Sequence, residues 1–441
     1  MHTMKKLLEF IISKIRYILL LYVALQLVLI FTEEINYRSD ALYYYSLAEK
    51  SLLRNEFYPS TFNFNDDYLV APFYINITIL ILKIYNSPIS ISLFNLLIIL
   101  FQIYVLHKII QNLFSETTAR FTILIYIFYV NTIGLMLQNY TEIFFVLLIS
   151  YSIYFFILNK NALMILSGLF TGAAIAVRPV GWAMLLGVIV LQIIFSLKEK
   201  KFLFNYFYFY SGIVLLILLF GSFTYTHFGK FEFSSTTGSV NFLLGANENA
   251  TGGFNSTVFE KDKAGYIEHP ESLTYLEKGD FYAKQAFHWI SENPVKWLAL
   301  APLKLIHTFG WDDISISSLL GSDDTNFARV MKIVFTEIDF DKALPSTSTS
   351  YKIFYLSIII LHHLFYYFLL FTMISGIVKY LKSKNYKQYI NLIILFSFTA
   401  TVMIMITVGA PRYKYPMFIL LLPFAANYII EKFKFVGSIN E

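Results

Sequence analysis

Long apolar runs alternate with short polar breaks along this chain, and that pattern sets its elements. Runs at 17–31, 88–107, 119–137, 140–158, 162–177, 180–197, 203–228, 351–378, 388–408 and 415–431 approach or exceed the length that crosses a bilayer as a helix. Hydrocarbon offers backbone groups no water, so such runs predict helices. Their continuity excludes the alternating strands of an outer-membrane barrel. The expected fold is an all-α polytopic membrane bundle of roughly 10–13 transmembrane helices. Segment 73–85 is short, is flanked by Pro72 and Pro88, and breaks the parity of crossings. It reads as a re-entrant or interfacial helix.

Two polar stretches interrupt the pattern. The first, 32–71, carries Leu42, Tyr45, Leu47, Ala48 and Leu52 at helical spacing between Asp40 and Arg54. That spacing predicts an amphipathic helix lying along the membrane surface. The second, 229–350, holds a helical piece at 279–292 and an amphiphilic piece from Val295 to Trp311. Its length suits an active-site cover or binding loop. No repeat or separate soluble domain stands out, so 1–441 reads as a single integral-membrane domain.

Basic residues orient the bundle. Lys5, Lys6, Lys14 and Arg16 precede the first span, and no small-residue cleavage site follows it. Lys108 with Arg120, Lys160, the run Lys198 to Lys201, the cluster Lys379 to Lys387, and Lys432 with Lys434 mark further cytoplasmic loops. Both termini are expected in the cytoplasm, with 32–71 and 229–350 outside. Composition agrees: 57% of residues are hydrophobic and 14% charged, against about 25% charged in soluble proteins. The net charge of +5 sits beside spans and marks topology, not a nucleic-acid surface. The absence of cysteine excludes disulfides, thiolate catalysis and cysteine-based zinc sites. The histidines show no zinc spacing, and there is no P-loop or GxGxxG. No cofactor and no metal are expected.

This topology gathers Asp40, Asp66 with Asp67, Glu142, Arg178, and Arg412 with Lys414 on the outer face. An Arg fork and a Lys point charge suit a phosphate. A partly buried carboxylate suits removal of a proton from a hydroxyl. Asp40 is the candidate base, and Asp66, Asp67 or Glu142 the candidate second acid. Arg178, Arg412 and Lys414 are the candidate phosphate ligands. Each position also has a plainer reading. Asp40 can be a solvated interfacial acid, Asp66 and Asp67 loop acids, and Glu142 a complement to a helix N-terminus. Arg178 can end a helix before Pro179, and Arg412 and Lys414 can anchor the interface.

Taken in order, these pieces resemble the GT-C superfamily of integral-membrane glycosyltransferases. The resemblance is nearest to dolichyl-phosphate-mannose protein mannosyltransferases and bacterial aminoarabinose transferases. An acid in the first outer loop is followed by tyrosines, here Asp40 and Tyr43 to Tyr45. Thr141-Glu142 is similar to the "TE" that opens a middle span. Gly168 and Gly172 ahead of Arg178-Pro179 resemble a G-x-x-x-G…RP segment. Gly245, Asn247, Gly252 and Gly253 resemble the start of the large outer loop, and Gly279-Asp280 through Ala286, Asn293-Pro294 and Lys304 its later helix. Arg412-Tyr413 and Pro416 resemble a C-terminal RYxxP.

The resemblance implies a GT-C-type bundle that moves a sugar from a polyprenyl-phosphate-linked donor to an extracytoplasmic acceptor, with inversion by direct displacement. It places Asp40 as the base. The implied partners are that donor, membrane lipid and an acceptor glycolipid, glycan or protein, in a bacterial inner membrane. The chain departs from the family pattern where Asp40 is followed by Ala41 and not by a second acid. The other readings of the same features are a lipid-linked glycan transporter and a polysaccharide polymerase or ligase.

Overall fold

The computed structural model describes residues 10–60, 66, 68–200, 203–312, 349–383 and 387–433. Its helices in chain order are α1 (Ile15–Thr32), α2 (Ser39–Leu53), α3 (Pro72–Ile84), α4 (Pro88–Leu113), α5 (Glu116–Phe128), α6 (Val130–Met136), α7 (Glu142–Leu158), α8 (Asn161–Val177), α9 (Trp182–Glu199) and α10 (Tyr206–Phe228). Then follow α11 (Thr237–Leu244), α12 (Tyr275–Glu292), α13 (Pro294–Ala299), α14 (Ala301–Phe309), α15 (Thr349–Lys382), α16 (Gln388–Ile406) and α17 (Tyr415–Lys432). No strand occurs among the described residues.

Among the described residues, six helices are long and apolar enough to cross a membrane: α1, α4, α9 with the turn before it, α10, α15 and α16. The chain is therefore a multi-pass membrane protein. The run at 119–137, expected as one helix, is two. α5 and α6 are bent by 60° at Tyr129, whose backbone is extended and whose hydroxyl is drawn to Asp312. α3, α7 and α8 are apolar but shorter than eighteen residues, so the expected ten to thirteen crossings depend on how these and α17 are counted. With 13 residues, α3 extends about 20 Å, short of the roughly 30 Å hydrocarbon core. It packs against α2, α4 and α8.

Small and hydroxylated residues set the helix packing. α8 and α10 approach so closely that a Cβ on Gly168 would lie 1.9 Å from the Phe209 carbonyl oxygen. A Cβ on Gly212 would lie 2.1 Å from that of Ile165. The G-x-x-x-G spacing thus has a packing role here, as small residues do between membrane helices. Ser152 joins α7 to α8 through Thr171 at 2.7 Å and Ser167 at 3.2 Å. Gln102 donates from α4 to Ser150 of α7 at 2.8 Å.

The large loop is fastened to the bundle. α11 packs on α12, which begins with a Thr274–Glu277 capping box. From α14, the buried Lys304 ammonium donates to the last carbonyls of α16, Met405 at 3.0 Å and Ile406 at 3.4 Å. Tyr366 and Tyr367 of α15 donate to Phe309 and Gly310 at 2.6 and 2.7 Å. These ties fasten α14 to α15 and to the end of α16, at one end of the bundle.

Candidate functional site

Four charged groups meet at that end of the bundle. Asp40 comes from the first turn of α2, and Glu142 is the first residue of α7. Pro179 forces Arg178 out of helical geometry, to φ −146° and ψ 133°, so it ends α8. Pro411 opens the short 3-10 turn that presents Arg412 just before α17. Two residues that are not glycine lie beside the site in left-handed backbone, Ser39 at φ 49° and Ala71 at φ 35°. Such conformations cost free energy and cluster at functional sites.

Arg412 Nη2 donates to Asp40 Oδ2, and its Nε lies 3.6 Å from Glu142 Oε1. Arg178 Nη1 pairs with the same Glu142 oxygen and donates to Thr141 Oγ1 at 3.2 Å. The Tyr413 ring lies 5.2 Å from the Arg178 guanidinium and 5.9 Å from that of Arg412. The Tyr140 ring lies 5.2 Å from Arg412 on another side. Ion pairs and ring contacts together orient both forks. Two acids and two bases leave the cluster neutral.

The two acids are not equivalent. The Glu142 side chain is 1% exposed and Asp40 40%, so Asp40 is the one that a solute can reach. Burial opposes ionisation of Asp40. The charge and hydrogen bond of Arg412, with Arg178 behind it, outweigh that penalty and hold the carboxyl below the ordinary aspartate range. A cavity of about 250 Å³ opens onto Asp40, Arg178 and Arg412. Tyr68, Thr237 and Asn241 bring polar groups to its walls.

The other sequence candidates lie elsewhere. Asp66, in the loop ahead of α3, does not line this cavity. Asp67 falls outside the described residues. Lys414, grouped by sequence with Arg412 as a phosphate ligand, is turned away. A 3-10 turn advances about a third of a circle per residue, so side chains two apart diverge. Lys414 is 1% exposed and sits 2.9 Å from Asp312 Oδ1. It also donates to the carbonyls of Trp311 and, at 3.0 Å, Pro411. Among the described residues, no group of three or more His, Cys, Asp or Glu is placed to hold a metal ion.

Lys414 belongs to a second cluster that sequence reasoning missed. Asp312 accepts from the Tyr129 hydroxyl at 2.9 and 2.8 Å and lies 2.9 Å from His362 Nε2. Burial opposes its charge, but Lys414 and then His362 overcome that and hold the carboxyl at about 2. One signal was present: His362 is a polar side chain inside an apolar run.

No known protein family and no curated protein matches the chain by sequence. Among solved structures, the fold is similar to that in the crystal structure of ArnT from Cupriavidus metallidurans bound to undecaprenyl phosphate. The match has 12% identity and a TM-score of 0.45, and it covers 93% of this chain. The chain spans 60% of the length of that ArnT chain.

Proposed function

We propose that this protein is a GT-C-type glycosyltransferase that moves a sugar from a polyprenyl-phosphate donor to an acceptor hydroxyl. One observation carries the reading. A reachable carboxylate and two oriented guanidiniums, drawn from residues as far apart as 40 and 412, line one cavity beside the ends of membrane helices. The motifs that resemble the family, Asp40, Thr141-Glu142, Arg178-Pro179 and Arg412-Tyr413, supply that cluster and its neighbours. Basic residues flank the opposite helix ends, so the site belongs to the extracytoplasmic face of a bacterial inner membrane.

In the proposed reaction the donor phosphate takes Arg178 and Arg412, which stabilise the charge that develops on it. Engaging Arg412 releases Asp40 from its ion pair, and its basicity rises as that opposite charge is shared. The acceptor oxygen forms a bond to the anomeric carbon as the bond from that carbon to the phosphate oxygen breaks. The hydroxyl proton passes to Asp40, and polyprenyl phosphate leaves as the anion. Attack opposite the leaving group inverts the anomeric centre. Glu142, buried between both arginines, keeps the forks in place.

The test is mass spectrometry of glycans and glycolipids from cells expressing wild type, Asp40→Asn and Arg178→Ala at matched levels. The expected result is a gain of one sugar mass with wild type that is absent with the Asp40 variant. Unchanged products in every strain, with a lipid-linked sugar moving between leaflets, would replace this reading with a transporter.

A further inference from the structure

A second groove lies at the far end of the bundle. α1 runs from Ile15 to Thr32, and its Thr32 end leads into α2 and Asp40. Its other end is about 27 Å away at helical rise, close to the full hydrocarbon thickness. There the start of α1, the end of α4 and the start of α5 enclose a cavity of about 880 Å³. Leu19, Leu20, Leu100, Ile103 and Ile123 form its apolar wall, and Arg16, His107, Glu116 and Arg120 line it as well.

The charges are unequal to one another in use. Arg120 spends Nε on Glu116 Oε1 at 2.6 Å, and His107 Nε2 lies 3.3 Å from the same oxygen. The terminal nitrogens of Arg120 have no partner among the described residues. Arg16 is exposed and has no ion pair among them either. Two arginines face one glutamate, so the groove carries a net positive charge beside an apolar wall. α1 and α4 are both long and apolar enough to cross a membrane, and their apolar lining residues lie further in from the helix ends than Arg16 does, so a basic rim borders an apolar wall.

We propose that this groove binds an anionic phospholipid, its phosphate held by Arg16 and Arg120 and its acyl chain laid along Leu19, Leu20, Leu100 and Ile103. Charge-assisted, forked hydrogen bonds from arginine are the strong ones for a phosphate. Basic side chains next to a span draw anionic headgroups. A zwitterionic lipid also brings a cation, which the two arginines repel; the one acid is paired through Oε1 with Arg120 and its other oxygen is buried. The site is independent of the transferase reading, since it lies at the other end of the bundle.

The experiment is native mass spectrometry of the full-length protein in detergent, titrated with phosphatidylglycerol, phosphatidylcholine or inorganic phosphate. Wild type is expected to bind phosphatidylglycerol about tenfold or more tightly than phosphatidylcholine, with no adduct from inorganic phosphate. Arg16→Gln with Arg120→Gln is expected to remove that preference. Arg16→Gln alone touches an exposed side chain, so it carries the test if the double variant fails to fold, and it is expected to narrow the preference several-fold. Equal affinity for the two lipids would overturn the proposal. So would an unchanged preference in Arg16→Gln, competition by inorganic phosphate alone, or occupation of the groove by a second copy of the chain in a lipid-free dimer.

Discussion

Arg412 and Lys414 stand two residues apart in one turn, yet they serve opposite kinds of charge cluster. Around Arg412, the acids and bases share oxygens, and Asp40 remains reachable from a cavity. Around Lys414, the side chains of the network are buried: Asp312 is 3% exposed and His362 1%, and Tyr129 supplies further hydrogen bonds. A buried network of paired charges and hydrogen bonds rigidifies the backbone that carries it. The sealed cluster ties the stretch after α14, α15 and the 411–414 turn together. The contrast separates a cluster built to exchange partners from one built to keep them.

The largest effect is expected from Asp40→Asn. In the proposed reaction Asp40 is the general base, and loss of such a base lowers turnover by about 10²–10⁴-fold, or about 2.7–5.5 kcal/mol on the barrier. Thermal stability in detergent should scarcely change, because partly exposed ion pairs are worth at most about 1 kcal/mol. A variant that lost stability and activity together would erase the distinction between the clusters.

The sealed cluster predicts the reverse. Asp312→Asn leaves the Lys414 ammonium buried without its counter-charge, which costs about 3–5 kcal/mol. Turnover per folded molecule should be largely kept. Adding Lys414→Met removes the stranded charge and should restore much of the midpoint in a thermal melt. Asp312 also gives an acid limit. Its carboxyl is held below its unfolded value, so its contribution is present above about pH 4 and is lost as pH falls through about 2. In Asp312→Asn that part of the acid unfolding curve should disappear.

A smaller effect is expected where charge stays and shape changes. Arg178→Lys keeps a positive group beside Glu142 but loses the fork and the flat contact with Tyr413. The expected loss in kcat/KM is about tenfold, about 1.4 kcal/mol. An equal loss from Lys414→Arg would instead place both basic residues in one site.

Much of this was legible in the chain itself, for a physical reason. Asp40, Glu142, Arg178 and Arg412 each stand where an apolar run meets a polar break, and spans that cross one membrane bring such positions to one level. The amphipathic helix after Asp40 and the end of α8 at Arg178-Pro179 follow from spacing and from proline. What stayed hidden depends on direction and on distant partners. Sequence adjacency grouped Lys414 with Arg412, but a 3-10 turn splits them. The Asp312–His362 contact joins the stretch after α14 to a helix interior across 50 residues, and no local periodicity encodes that. The break at Tyr129 likewise lacks a proline or glycine signal, since its hydroxyl is held by the same distant Asp312.

Lys304 sharpens the comparison with the least effect. It is as buried as Lys414, but its ammonium meets the carbonyls of Met405 and Ile406 in place of a carboxylate. Burial therefore wins, and the group is lowered to about 8. For a base with a depressed pKa, the folded chain releases its proton before the unfolded chain does. The unfolded state then binds more protons between about pH 8 and pH 10.5, and stability rises with pH across that window. Between pH 7 and pH 9 the gain should be about 1 kcal/mol in a melt of the full chain. Lys304→Met should remove this rise. A fall in stability over the same range would mean that the α16 carbonyls hold the charged form of Lys304, and that a helix end can replace an acid in sealing a buried base.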